Sequence, residues 1–90
     1  MDKAATALKK LRREIGSIDT KIVALIAKRL ALAKRIGKAK KQLGLPVYQA
    51  QREKKVVARV LAASKKAKVD LKFAMSLFRK IIAASKRVQK

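Results

Sequence analysis

Apolar residues recur along the first half of the chain at alternating intervals of three and four. Leu8, Leu11, Ile15, Ile18, Ile22 and Leu25 open the series. Arg29 stands where the next apolar residue belongs, and Leu32, Ile36, Ala39 and Leu43 complete the run. This is a heptad seam sustained for about five repeats, and it predicts one long α-helix. The segment is rich in Ala, Leu, Lys and Arg, which are good helix formers. Asp2 is placed to cap its start. Gly44-Leu45-Pro46 is placed to end it, because glycine can close a helix in the left-handed conformation and proline cannot continue one. Gly16 and Gly37 lie inside the segment and weaken it slightly.

A second helix is predicted from Gln49 to Lys66, with Val56, Val57, Val60 and Leu61 as its apolar stripe. Lys65 to Val69 reads as a short polar link. Asp70 then caps a third helix running to about Val88, striped by Leu71, Ala74, Phe78, Ile81 and Ile82. No segment alternates with period two, so no strand is predicted. The expected class is all-α, a three-helix chain with a long N-terminal helix, and residues 1–90 read as a single domain.

Length sets the next expectation. A helix of about 40 residues is ~60 Å long, whereas a compact chain of this size has a radius of gyration of only ~12 Å. Two shorter helices cannot cover such a seam from end to end. The simplest resolution is a homodimer whose long helices pack together, with the second and third helices folded over them. An extended helical hairpin is the structural alternative.

Polar residues interrupt the apolar faces at particular places. Arg29 occupies a seam position, where a guanidinium is costly to bury unless it meets an anion. Lys40 follows eleven residues later, close to three turns, so it projects from nearly the same face. Arg12 precedes Arg29 by seventeen residues, which sets it roughly 100° around the helix. It cannot easily serve the same pocket in its own chain, but in an antiparallel dimer it could reach the partner's. Glu53 extends the stripe of the second helix backwards, flanked by Arg52, and Ser85 and Gln89 extend the stripe of the third. Taken singly, each is an ordinary residue: a snorkelling base, a surface ion pair or a polar helix end. Together they describe several cations, one carboxylate and two neutral hydrogen-bonding groups facing a helical interior. That set suits a small dianion bearing a hydroxyl. It offers no nucleophile–base pair, so any catalysis would work through positioning and electrostatics.

Composition narrows the classes. Lys and Arg number 26 against five acids, for a formal net charge of +21, so the expected partner is an anion. Half of the residues are apolar, unlike a disordered basic tail. With no Cys and no His, thiolate chemistry and the commonest metal ligands are excluded, and five dispersed acids make a carboxylate-lined metal site unexpected. No apolar run approaches the ~20 residues of a membrane span, and no signal-peptide core is seen. A soluble, cytoplasmic protein with no membrane partner is expected. Lys9, Lys10, Arg13, Lys21, Lys28, Lys34, Lys38 and Lys41 give the first helix a basic outer surface. Weak, salt-sensitive nucleic-acid binding is expected from it. Base-stacking aromatics are scarce: Tyr48, Phe73 and Phe78, with both Phe residues read as core. The absence of Asn, Cys, His and Trp suggests a thermophile or a simplified, redesigned chain.

The polar positions carry a resemblance. Leu8, Arg12, Ile15, Ile18-Asp19, Ile22, Leu25 and Arg29 are similar in order and spacing to the opening of the all-helical (type II) chorismate mutases. So are Ile36-Gly37 and Lys40, then Leu45-Pro46-Val47 with Arg52-Glu53, and Phe78, Ile81-Ile82, Ser85 and Gln89. The resemblance covers nearly the whole chain. It implies an intertwined homodimeric helical bundle with two active sites that rearrange chorismate to prephenate without a cofactor or a covalent intermediate. It further implies that Arg29 and an Arg12 acting in trans bind the substrate carboxylates, helped by Ser85. Lys40 and Gln89 would bind the ether oxygen, Glu53 the ring hydroxyl, and Arg52 would support that end. Gln49 stands where the family usually has Asp, three residues before the Arg-Glu pair, and a modest effect is expected there. An isochorismate-pyruvate lyase on the same fold is the nearest rival, and a basic nucleic-acid-binding helical protein is a rival of another class.

Overall fold

The computed structural model describes residues 2–90. Three helices follow one another: α1 (Lys3–Leu43), α2 (Ala50–Ala67) and α3 (Leu71–Gln89), with no strand among the described residues. Each end has a local cause. The Asp2 carboxylate accepts from the Ala4 N–H at 2.9 Å, and the Asp70 carboxylate accepts from the Phe73 N–H at 2.9 Å. Both satisfy N–H groups that a helix leaves without partners. Gly44 takes the left-handed conformation, and the Leu45 N–H returns to the Lys40 carbonyl at 2.8 Å. The expected polar link after α2 is shorter than the sequence suggests. Helix α2 continues through Ala67, and Lys68 itself adopts φ 59° to close it. Gln49 lies just outside α2 as its N-cap, and its side chain makes no capping bond.

The molecule measures 65 × 24 × 16 Å, with a radius of gyration of 17.7 Å. Helix α3 packs on both α1 and α2, while α1 and α2 do not pack on each other. The face that α1 turns to α3 is not the heptad seam. Ala33 and Gly37 are buried there, with Ile26 and Leu30 half-buried beside them. A Cβ on Gly37 would lie 2.7 Å from Gln89 Cα and 2.8 Å from its carbonyl oxygen. Gly37 is therefore more than a weak point in the helix: its missing side chain sets how closely α1 and α3 approach.

The seam itself is left uncovered. Leu8, Leu11, Ile15, Ile18, Ile22 and Leu25 are each 47–65% exposed. Only Ala33, Val60 and Ala74 are buried apolar residues among the described residues, and no large side chain is fully enclosed. Phe73 does not belong to the core of the chain, being 61% exposed, whereas Phe78 is half-buried. Among the described residues, no helix is long and apolar enough to cross a membrane.

Candidate active site

Because α1 and α2 meet only through α3, a cleft of about 630 Å³ opens between them. The polar residues singled out in the sequence converge there from all three helices. Arg29 and Lys40 come from α1, Arg52 and Glu53 from α2, Ser85 and Gln89 from α3, and Gln49 from the connecting loop. Arg12 is the exception. It is exposed, lies outside the cleft, and sits ~25 Å along α1 from Arg29.

The hydrogen bonds fix what each group can offer. Lys40 Nζ donates to the Val47 carbonyl at 2.7 Å and to Gln89 Oε1 at 2.6 Å. An ammonium has three N–H donors and no acceptor. One proton of Lys40 therefore remains for a ligand. Lys40 also dictates the orientation of the Gln89 amide, since only the carbonyl oxygen can face it. The amide nitrogen of Gln89, with its two protons, is turned away and free to donate. The loop contributes directly: the left-handed turn at Gly44 bends the chain so that Val47 comes back to Lys40.

Arg29 is held in the same manner. Its Nη1 donates to Ser85 Oγ, and Ser85 Oγ donates in turn to the Ile81 carbonyl at 2.9 Å. The serine proton is thus committed to backbone, and the oxygen is presented to the guanidinium. Ser85 is buried and acts as a fixed acceptor, not a nucleophile. Four of the five N–H donors of Arg29 remain for a carboxylate, which a planar fork binds in bidentate fashion.

Glu53 sits in the first turn of α2, where the helix dipole favours a negative charge. Its Oε1 is buried and accepts no directed hydrogen bond. Lys86 Nζ lies 2.8 Å from that oxygen, so the two are ion-paired, but the approach is off the hydrogen-bonding direction. Gln49, half-buried at the rim, leaves the N-terminus of α2 without a side-chain cap. A shorter Asp or Asn at an N-cap is worth about 1 kcal/mol over a residue that does not cap.

Three polar cleft residues were not expected from the sequence: Arg59, Ser64 and Lys86. Ser64 commits its proton to the Val60 carbonyl at 2.7 Å. Arg59 gives no signal among so many bases, although it follows Arg52 by two helical turns. Lys86 directly follows Ser85, and only the fold shows that it turns to Glu53. No cluster of metal-ligating side chains is present among the described residues.

Known proteins resemble the chain in sequence and in fold. The family model described as chorismate mutase type II matches residues 11–90. A chorismate mutase from Methanocaldococcus jannaschii is 37% identical over 83 residues, covering 92% of this chain and 84% of that protein. A bifunctional chorismate mutase/prephenate dehydratase from Aquifex aeolicus is 41% identical over 58 residues, but that match spans only 16% of its length. Among solved structures, a conserved hypothetical protein from Pyrococcus furiosus superposes with a TM-score of 0.70 at 40% identity. It covers 94% of this chain and 97% of its own.

Proposed function

The chain belongs to the chorismate mutase type II family, and on that premise we propose that its cleft rearranges chorismate to prephenate, with residues 1–90 working as one domain. The observation that carries the reading is the pair of free donors fixed by Lys40: its own third proton and the amide protons of Gln89. In the rearrangement a C–O bond breaks and negative charge gathers on the ether oxygen. Donors already held in place stabilise that charge without reorganising, and they act more strongly on the transition state than on the substrate. Arg29, steadied by Ser85, takes one substrate carboxylate. Glu53, through the carboxylate oxygen that Lys86 does not contact, takes the ring hydroxyl, and Arg52 supports that end. Together these contacts hold a flexible substrate in the compact conformer that reacts. Glu53 and Ser85 present together favour the mutase over an isochorismate-pyruvate lyase, and assaying the two substrates side by side separates them.

The second carboxylate is assigned to Arg12 of the partner subunit. The exposed seam supports a homodimer in which two α1 helices pack together, and the distance along α1 prevents Arg12 from serving its own cleft. The test is complementation between defective subunits. Arg12→Ala and Lys40→Ala homodimers are each expected to be nearly inactive. Mixed and refolded together, they form heterodimers in which one cleft has both residues intact. About half of the wild-type turnover per heterodimer is expected. Heterodimers as inactive as their parents would overturn the assignment in trans.

The outer surface supports a second, lesser property. Among the described residues a single ion pair is present, Lys86 with Glu53, so nearly all of the bases lack an acidic partner. Basic residues such as Lys10, Lys28 and Lys38 are exposed on α1, away from its seam. We propose weak, non-specific binding of duplex DNA that falls steeply with salt. A titration of labelled duplex at rising salt tests it, and binding that persists unchanged at high salt would reverse the ranking of the two activities.

A further inference from the structure

Glu53 poses an electrostatic problem for the reaction proposed above. Among the described residues it is the only carboxylate lining a cleft meant for a dianion, and a bare carboxylate there repels the substrate it should orient. The structure contains a solution in Lys86. Its ammonium lies 2.8 Å from Glu53 Oε1 and 5.2 Å from the centre of the Tyr48 ring. The ring, on the loop between α1 and α2, offers its electron-rich face to the cation. Lys86 is thereby held between α2 and the loop. It meets the buried Oε1 and leaves the other oxygen of the carboxylate uncontacted, so it cancels charge without using the acceptor that a hydroxyl would need. Both side chains are about one-third exposed, and a pair so placed keeps part of its attraction in water.

We propose that Lys86 is a positioning residue that neutralises and orients Glu53, allowing the cleft to take a dianionic ligand while Glu53 remains able to accept its hydroxyl. The inference rests on the mutase reading, and a double-mutant cycle tests it separately from that reading. The probe is prephenate, a dianion with a ring hydroxyl, and its Kd is read by calorimetry, which does not depend on turnover. Lys86→Met keeps the length of the side chain and removes the charge. It is expected to weaken prephenate binding roughly tenfold when Glu53 is present, and less than about twofold in the Glu53→Gln background, where no charge needs cancelling. Lys86→Arg restores binding to within about threefold. Equal losses from Lys86→Met in the two backgrounds would mean that Lys86 meets the ligand directly, and would overturn the proposal. So would no loss in either. Wild-type turnover of chorismate is measured alongside: its absence overturns the mutase reading, whereas turnover together with additive losses overturns the role of Lys86 alone.

Discussion

Replacing Lys40 with alanine is expected to lower kcat by roughly 10³-fold, close to abolishing turnover, while the protein stays folded. The magnitude follows from what one aimed donor contributes to a charge that develops in the transition state, ~10²–10³-fold in comparable sites. Here the loss is compounded. Without the ammonium, the Gln89 amide loses the contact that fixes its orientation at 2.6 Å, and the Val47 carbonyl loses its donor at 2.7 Å. The second donor to the ether oxygen is therefore loosened along with the first. Stability should change little, because Lys40 is only half-buried and the released groups lie at an open cleft where water can reach them. Lys40→Arg should rescue poorly, since a planar guanidinium cannot reproduce three tetrahedral bonds. Steady-state kinetics with circular dichroism decides the matter. A folded Lys40→Ala protein with full activity removes Lys40 from the site.

A carboxylate placed in the seam is expected to have the larger effect on the fold. Ile22 lies midway along the exposed stripe of α1 and is 48% exposed in the single chain. Under the dimeric reading Ile22→Asp buries an unpaired charge, and two-fold symmetry makes it do so twice. An uncompensated buried charge costs about 3–5 kcal/mol, comparable to the whole stability of a small protein. The result should be loss of helix as well as loss of association. Among its described residues the isolated chain buries only Ala33, Val60 and Ala74 as apolar residues and has no enclosed large side chain to fall back on. Sedimentation and circular dichroism at matched concentrations read the two together. For the same reason the wild-type melting temperature should rise with protein concentration. A helical Ile22→Asp monomer with an unchanged melt would return the problem to an extended hairpin.

What could be read in the sequence, and what could not, follows from how strongly each feature departs from its surroundings. The long helix was legible because a heptad repeat is hard to produce by accident. Arg29, Lys40, Ser85 and Gln89 were legible because polar groups interrupted apolar stripes, and the structure brings these four together. The face that joins α1 to α3 was not legible. It is built on Ala33 and Gly37, whose small size permits close approach but adds almost nothing to a hydrophobic pattern. Phe73 was misread for the opposite reason, since its bulk suggests burial while its position on α3 leaves it exposed. Lys86 was hidden among 26 bases. Its meaning depends on Glu53 and Tyr48, which stand 33 and 38 residues earlier.

The two interior glycines of α1 look alike in the sequence and face different futures under mutation. A side chain at Gly16 would meet nothing within 4 Å, so alanine there simply adds helix propensity, about 1 kcal/mol per chain. Gly37 has the backbone of Gln89 where its side chain would be. Lys40, one turn further along α1, depends on that same Gln89 for a partner. An engineer who strips glycines from helices to gain heat resistance could safely change the first. At the second, the same rule would push apart the two helices that hold the donors together, so heat resistance and activity should fall together.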